Sequence, residues 1–256
     1  MLPPGFSQEP AVAVETTLDR ARSNRILAAL PRPELERCLP HLERVVYPIR
    51  QVLHAPGEPI TAVHFPESGW ISMLAVLADG GAAEVGLIGR EGVVGLPLFF
   101  GTDRSPAEAM WQSGSVALRM SAEAFREATA EGTTLRSLVL RYAMCFTAQV
   151  SQTAACNGRH SIEQRLARWV LVAHDRDEAD EFPITHEFLS MMLGVRRAGV
   201  TVVAGRLQKA GLIRYRKGLM TVTDRAGLEA HACECYGVVR REYDRLLGPG
   251  WRARRD

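Results

Sequence analysis

The segment that decides the fold is residues 185–222, THEFLSMMLGVRRAGVTVVAGRLQKAGLIRYRKGLMTV. Its first part predicts a helix that Thr185 caps, and Gly194 is expected to end that helix because glycine adopts a left-handed backbone without strain. A second helix follows, and after Gly211 two short β-stretches, Leu212–Tyr215 and Leu219–Val222, enclose a basic turn. This order is typical of a winged helix-turn-helix, which binds DNA.

The second predicted helix has two faces of different chemistry. The stripe expected to face the core is apolar and consists of Val200, Val203, Ala204 and Leu207. On the opposite face, the residues expected to contact bases are Arg196, Arg197, Ala198, Thr201 and Val202. Small residues let a helix lie deep in the major groove, and arginine can bond both acceptors of a guanine edge. Residues expected to contact the DNA backbone are Arg206, Lys209, Arg216 and Lys217.

The distribution of charge supports DNA as a partner. Residues 1–182 carry 17 Arg and Lys against 22 Asp and Glu, whereas residues 183–256 carry 14 against 7. Between Pro183 and Thr223 the only acid is Glu187. Basic charge on one segment favours a polyanionic partner, because neutralised phosphates release counterions. The alternative is a pair of packed helices in an arbitrary helical domain with a solvated surface hairpin.

Length and composition limit the class of protein. A chain of 256 residues can form one large or two modest domains. No apolar run reaches the roughly 20 residues that span a bilayer, and the acidic, proline-containing start is unlike a secretion signal, so no membrane association is expected. Five cysteines without a disulfide pattern indicate a reduced, cytoplasmic protein.

The texture of the chain predicts its domains. Residues 1–22 are expected to form a disordered leader, and a short helix interrupted at Pro31 and Pro33 follows. Short β-forming stretches, at 45–49, 63–65, 70–77, 84–88 and 115–118, are separated by Gly-rich turns and predict a sandwich or roll. Residues 23–132 are therefore assigned to a β-roll sensor domain. A long helix is predicted over 133–157, with a break at Asn157–Gly158. A capping-box pair, Ser161 and Gln164, opens the DNA-binding domain over 158–247, and 248–256 form a frayed tail.

The long helix carries two rows of apolar residues. The row with heptad spacing, assigned to a dimer contact, contains Leu135, Leu138, Tyr142, Cys145 and Gln149. A second row contains Val139, Phe146, Val150 and Thr153. One row can pack on its own domain and the other on a second copy, since helix-turn-helix proteins commonly pair to match two half-sites. The alternative is that both rows lie in a single core.

Other candidate sites are assigned structural roles. Gly86, Gly89, Gly92 and Gly95 are interpreted as tight turns, because no Lys-Ser or Lys-Thr pair follows as in a nucleotide-binding loop. Several residues have the chemistry for zinc without its spacing: Cys38, His41, His54 and His64. A last helix is predicted after a cap at Asp224. His231, Cys233 and Cys235 are expected on this helix, where they could not converge on an ion.

No cofactor or metal is therefore predicted. Cys145 and Cys156 are interpreted as small buried apolar groups, with redox sensing as the alternative. No catalytic constellation is present in the sequence, so an enzyme is not expected.

The order of these parts resembles the Crp/Fnr family of bacterial transcription regulators over nearly all of residues 24–247. The resemblance is carried by LGVRRAGVTVVAGRLQKAGLI, FPESGWISML, EVGLIGREGVVG and SIEQRLARWVL. It implies an α+β fold with an N-terminal double-stranded β-helix (jelly-roll-like) effector domain, a long dimerisation helix and a C-terminal winged helix-turn-helix. It also implies a homodimer on a palindromic operator, with double-stranded DNA, RNA polymerase and a small-molecule effector as candidate partners.

Departures from the family's pattern bear on specificity. By resemblance, Arg197 matches the base-reading arginine, but Ala198 and Val202 stand where a glutamate and a second arginine are common. The absence of a hydrogen-bonding side chain at each of these two positions should cost about 1–3 kcal/mol of base discrimination. The operator should therefore differ from the family's usual one. The effector pocket is expected at Gly95, Leu96, Arg104 and Ser105. The family's ribose-binding glutamate is absent there, which predicts weak or no cyclic-nucleotide binding.

Two further hypotheses use the same elements. The winged domain could mediate protein contacts in a small-molecule sensor, although its basic wing disfavours this. An enzyme could be built on the β-roll, although the sequence offers no nucleophile or metal set for it.

Overall fold

The computed structural model describes residues 12–14, 16–113, 116–177, 179–249 and 251. Its contacts divide the chain into two compact units. The first contains the residues up to Gly81 together with Ile88–Arg141, and the second contains Ala82–Leu87 together with the residues from Tyr142 onward.

The first unit is a β-roll with short helices. The strands are β1 (Val12–Val14), β2 (Glu43–Val46), β3 (Val52–His54), β4 (Ala62–Pro66), β5 (Trp70–Val76), β6 (Ala82–Ile88, of which only Ile88 belongs to the first unit), β7 (Ala107–Ser113) and β8 (Val116–Ser121). Its helices are α1 (Leu18–Ala21), α2 (Arg25–Ala28), α3 (Arg32–Cys38), α4 (Leu96–Phe99) and α5 (Ala122–Ala128), with a 3-10 turn at Leu39–His41. The strands form two four-stranded sheets, ordered β1-β2-β8-β4 and β3-β7-β5-β6.

Aromatic side chains fill the space between the two sheets. Tyr47, directly after β2, stacks on Trp111 of β7 with 5.6 Å between ring centroids, and it meets His64 of β4 edge to face. Phe65 packs on Phe125 of α5. The predicted roll is therefore confirmed. The sequence did not predict β3 and β7, because residues such as those of AEAMWQS form strands only when cross-strand packing favours them.

The start of the chain is more structured than predicted where it is described. Residues 1–11 of the expected disordered leader lie outside the described residues. Val12–Val14, however, pair antiparallel with β2, and Thr17 caps α1 with its side-chain oxygen. The edge of β2 offers unpaired backbone groups, which explains why this short segment adds a strand.

A single buried asparagine joins three parts of the roll. Asn24 has no exposed surface, and its side-chain oxygen accepts hydrogen bonds from the backbone nitrogens of Ile26 and Leu27, which caps α2. Its side-chain nitrogen donates to the carbonyls of Pro66 (3.1 Å) and Gly92 (2.9 Å). Each hydrogen-bonding group of the amide is thus used, so Asn24 ties α2 to the end of β4 and to the loop after β6.

The second unit is helical with one small sheet. Its elements are α6 (Thr134–Arg159, which begins in the first unit), α7 (Ile162–His174), β9 (Glu181–Pro183), α8 (His186–Leu193), α9 (Arg197–Lys209), β10 (Ile213–Arg216), β11 (Leu219–Val222), α10 (Arg225–His231) and α11 (Cys235–Leu247). Its sheet has the order β10-β11-β9. The predicted capping box at Ser161 and Gln164 is present, and the helix it opens, α7, is buried from Arg165 to His174.

Two helix boundaries differ from those predicted. α6 continues through Asn157–Gly158 and ends at Arg159, because Gly158 keeps a negative φ and extends the helix. The single helix expected after Asp224 is two helices. Asp224 caps α10 as predicted, but Ala232 adopts an extended backbone (φ −69°, ψ 156°), and α11 begins only at Cys235. The placement of His231, Cys233 and Cys235 on one helix was therefore wrong.

No single helix among the described residues is both long and apolar enough to cross a membrane. The helices α8 and α9 reach that length and composition only as a pair bent by 107°.

Replacing Asn24 with alanine should lower the free energy of unfolding of the roll by about 2–4 kcal/mol, since it removes a helix cap and leaves two carbonyls unsatisfied. Urea denaturation followed by tryptophan fluorescence measures this, because Trp70 and Trp111 are buried in the roll. Asn157→Ala is the matched control, because Asn157 is exposed on α6. Equal urea midpoints for the two variants would contradict the assigned role of Asn24.

Candidate nucleic-acid interface

The relative placement of α8 and α9 is set by the turn between them. Gly194 takes a left-handed backbone (φ 58°, ψ 42°), and its N–H bonds the carbonyls of Ser190 and Met191. The buried Arg165 of α7 donates to the carbonyl of Leu193, one of the terminal carbonyls that a helix end leaves without a partner. The two helix axes meet at 107°, within the range of a helix-turn-helix pair.

One face of α9 is buried and the opposite face is open. Val200, Val203, Ala204 and Leu207 are buried, as their spacing predicted, and α9 packs on α7 and α8. Its contact with α7 is close at Gly199, where a Cβ would lie 3.4 Å from Ile162 Cδ1. The exposed residues include Arg196, Arg197, Ala198, Thr201, Val202, Gly205, Arg206 and Lys209. This face is the one predicted to contact DNA, and its contact with bases stays a prediction.

Two arginines of this face form weak ion pairs with neighbouring carboxylates. Arg197 lies 3.7 Å from Glu187, and both side chains are exposed. Arg206 lies 3.4 Å from Glu163, again at the surface. Exposed ion pairs contribute little free energy, roughly 0–1 kcal/mol. Both guanidinium groups can therefore exchange their carboxylate for a phosphate or a base edge.

His186 is a residue of this surface that sequence analysis missed. Its ring stacks on Tyr215 with 4.3 Å between centroids, and its Nδ1 lies 3.0 Å from the hydroxyl of Thr201. That hydroxyl donates to the carbonyl of Arg197 and so accepts from His186. Burial, with the charge of Arg197, lowers the pKa of His186. A neutral imidazole thus joins α8, α9 and β10, a juxtaposition that sequence separation concealed.

The basic hairpin is tighter than predicted. β10 and β11 are joined by two residues, Lys217 and Gly218, with φ of 52° and 79°, instead of the expected three. Positive φ at both positions is typical of a type I′ turn, which suits the twist of a hairpin. Arg216 and Lys217 are both exposed at its tip. Strand β9, which pairs with β11, was not predicted, because its residues EFP are few and contain proline.

The residues of the expected effector pocket have structural partners in the roll. Gly95 has a φ of 108°, and a Cβ there would lie 2.9 Å from Val63 Cγ1, so glycine is required for backbone conformation and close packing. Leu96 is buried. The exposed Arg104 donates to the carbonyl of Gly57, and the hydroxyl of Ser105 accepts from the nitrogen of Ala107 at 3.0 Å.

The glycines of EVGLIGREGVVG differ in role. Gly89 and Gly92 form a turn, as expected, with a hydrogen bond of 3.0 Å from the nitrogen of Gly92 to the carbonyl of Gly89. Gly86 lies instead within β6, where a Cβ would be 2.8 Å from the ring of Phe146. Its small size therefore serves packing rather than a turn.

The heptad row of α6 that was assigned to a dimer contact is buried within the chain. These residues are Leu135, Leu138, Tyr142, Cys145 and Gln149. Tyr142 meets Tyr243 of α11 edge to face, and the Cys145 thiol lies 3.8 Å from the carbonyl of Glu242. Gln149 donates to the carbonyl of Leu87. The interpretation of this row as a contact with a second copy has to be corrected, since α11 and β6 already cover part of it.

Comparisons with known proteins agree with these two sets of elements. The cyclic nucleotide-binding domain family matches residues 44–131, and the Crp-like helix-turn-helix domain family matches residues 164–231. Together the two matches span 156 of the 256 residues. No curated relative matches the sequence.

Solved structures share the fold at low identity. FixK2 from Bradyrhizobium japonicum is 14% identical, with a TM-score of 0.65 over 75% of this chain and 98% of that one. A CRP family transcriptional regulator from Thermus thermophilus is 18% identical, with a TM-score of 0.62 over 74% and 95%. The c-di-GMP responsive regulator CLP from Xanthomonas campestris is 19% identical, with a TM-score of 0.59 over 75% and 99%.

A β-roll that matches the cyclic nucleotide-binding domain, a long helix and a Crp-like helix-turn-helix thus occur in one chain. The predicted fold class is confirmed. The chain belongs to the Crp/Fnr family, whose members are DNA-binding transcription regulators and not enzymes.

Proposed function

We propose that this regulator binds a palindromic operator as a homodimer, with α9 of each copy in a major groove. The observation that carries the proposal is the exposed basic face of α9 lying opposite its fully buried stripe. Such a helix can enter a groove without unfolding its own core. Because a DNA-binding regulator has to reach the chromosome, we place it in the cytoplasm.

Base recognition and backbone contact are divided between two parts of this surface. Arg197 is the side chain on α9 that can read a guanine, and Arg196 precedes it as the N-terminal boundary residue of the helix. Thr201 is held by His186, whereas Val202, with 55% of its surface exposed, offers an apolar contact for a thymine methyl group. Arg206, Lys209 and the hairpin tip supply cations for phosphates.

A second copy of this chain is the proposed occupant of an open face on α6. Leu140 and Met144 are 54% and 55% exposed, and they begin a row that continues through Thr147, Ser151 and Ala154, all exposed. This row repeats at intervals of 4 and 3 residues, the spacing of a coiled-coil seam, and its small residues allow close approach of two helices. We therefore assign the proposed dimer contact to this exposed row instead of the buried heptad row of α6.

For the effector, we propose a ligand other than cAMP. By the family resemblance, a glutamate next to Gly95 should accept a hydrogen bond from the ribose hydroxyl. This chain instead has the buried Leu96, followed by Pro97. A ribose hydroxyl placed there would lose its acceptor, which costs about 1–3 kcal/mol. Arg104 would in addition have to leave the carbonyl of Gly57 and the carboxylate of Asp103.

RNA polymerase is the proposed protein partner on promoter DNA.

Arg197→Ala should weaken binding to the operator by about 1–3 kcal/mol while leaving non-specific binding nearly unchanged, because it removes a base contact. Footprinting of genomic DNA with the purified protein first defines the operator, and fluorescence anisotropy on operator and scrambled duplexes then gives both affinities. Lys217→Ala is the matched variant. It should weaken binding to both duplexes equally. It should also reduce the slope of log affinity against log salt concentration by about 1.

An Arg197→Ala protein that keeps its full preference for the operator would show that α9 is not the reading helix. Affinity for duplex DNA that stays constant as salt rises would instead favour the alternative in which the winged domain binds protein.

Met144→Glu should convert the dimer to a monomer, because a charge buried between two copies of α6 is desolvated without a partner. Sedimentation velocity at micromolar concentration measures the mass. Leu77→Glu is the control, because Leu77 is 60% exposed in the first unit and outside the seam. A dimer that persists in the Met144→Glu protein would place the interface elsewhere.

Titration with cAMP in a calorimeter should give a Kd weaker than about 1 mM, because the ribose acceptor is missing. The same titration with c-di-GMP tests the ligand to which CLP is responsive. Saturable cAMP binding in the micromolar range would contradict our interpretation of Leu96.

A further inference from the structure

Four potential metal ligands meet in the second unit, away from the exposed face of α9. They are Cys156 on α6, His160 just after its end, Cys233 in the loop before α11, and Cys235 at the start of α11. The ligand atoms all lie within 4.8 Å of one another. The three cysteines are 0%, 4% and 0% exposed, so the cluster is closed to solvent on most sides.

Two distances within the cluster are close to those expected around one tetrahedral ion. Zn–S bonds of about 2.3 Å and Zn–N bonds of about 2.0–2.1 Å place two sulfurs about 3.8 Å apart, and a sulfur and a nitrogen about 3.6 Å apart. Cys156 Sγ and Cys233 Sγ are separated by 3.5 Å, and Cys235 Sγ and His160 Nδ1 by 3.4 Å. A disulfide needs about 2.05 Å, so the thiols are not cross-linked.

The groups around the cluster are those that orient metal ligands. While Nδ1 of His160 faces Cys235, its Nε2 lies 3.3 Å from the carboxylate of Glu234. A carboxylate on the far nitrogen of a ligating histidine fixes the orientation of the ring and raises its basicity. The side-chain amide of Gln152 donates to Cys235 Sγ at 3.1 Å. A hydrogen bond donated to sulfur stabilises the thiolate form of a cysteine over the thiol form.

The local charge also fits a metal–thiolate centre. Arg165 and Arg168 are buried, and both interact electrostatically with Cys156. Within the described part of the chain neither has a carboxylate partner. A divalent ion with three thiolates and a neutral imidazole carries one net negative charge. That charge would offset half of the positive charge of the two buried guanidinium groups, which otherwise bear the cost of desolvated cations.

We propose that Cys156, His160, Cys233 and Cys235 bind one zinc ion in a closed tetrahedral site. Soft thiolates with one imidazole, in tetrahedral arrangement, favour zinc among the common divalent ions. An iron–sulfur cluster would spread its four ligands further apart, because they are divided among two or four irons. Four protein ligands leave no open position, so the ion has a structural role.

Such an ion would join the end of α6 to the segment between α10 and α11. The four ligands come from two parts of the sequence that are more than 70 residues apart. Cys156 contacts Cys233, and His160 contacts Cys235, so the fold brings these two parts together. Metal binding would therefore hold α11 on α6, where Tyr243 meets Tyr142. Because the unfolded chain lacks the assembled site, the binding energy adds to the stability of this unit.

The test begins with the full chain, purified with a thiol reductant and without chelator. Elemental analysis should find about one zinc per chain, and exchange with cobalt should produce the ligand-field and thiolate charge-transfer absorption of a tetrahedral cobalt site. Cys235→Ser should lose most of both signals. Cys38→Ala is the matched control and should keep both, since Cys38 is buried in the first unit outside the cluster.

A milder variant keeps the test independent of folding. Glu234→Gln leaves all four ligands in place and should weaken zinc binding by roughly 10–100-fold in competition with a chromophoric chelator. Metal-free wild-type protein that also fails to bind cobalt would overturn the proposal. So would iron with acid-labile sulfide, or a Cys156–Cys233 disulfide in the reduced preparation. DNA binding is measured separately, so neither result depends on the other.

Discussion

The interface depends on one constraint, the burial of a single stripe of α9. Val200 and Leu207 are fully buried where α9 packs on α7 and α8, and this contact leaves the opposite face of α9 exposed. Gly194 and the bond from Arg165 to the Leu193 carbonyl set the angle at which α9 leaves α8. Loss of the stripe would therefore remove both the core of the unit and the orientation of the basic face.

The first unit has the roll of its family, and the contacts that stabilise this roll involve residues other than those of the expected effector pocket. Aromatic packing at Tyr47 and Trp111 and the hydrogen bonds of Asn24 hold the roll together. None of these contacts depends on the residues at Gly95–Leu96 and Arg104–Ser105. A roll of this kind can thus lose one ligand, and acquire another, at little cost to its fold.

The second unit combines weak surface ion pairs with a hydrogen-bonded group around the buried Asp175. The pairs of Arg197 and Arg206 are exposed and can be exchanged for DNA. Behind them, Arg225 donates to the buried Asp175 at 2.6 Å and also bonds Tyr236, which joins α10 and α11 to the end of α7. The proposed zinc site lies in the same unit. The binding surface is therefore adaptable, whereas the support beneath it is rigid.

The sequence alone predicted the helix-turn-helix, the hairpin, the buried stripe of α9 and the long α6. These features follow from helical periodicity, caps and glycine positions, which depend on residues only a few positions apart. Contacts between distant residues could not be predicted in this way. Which row of α6 is covered depends on α11, more than 90 residues later, and His186 reaches Thr201 and Tyr215 only after folding. Cys156 and Cys233 became neighbours because the chain breaks its helix at Ala232, where neither glycine nor proline marks the break. Local periodicity thus determined the elements, and only tertiary packing decided which side chains meet.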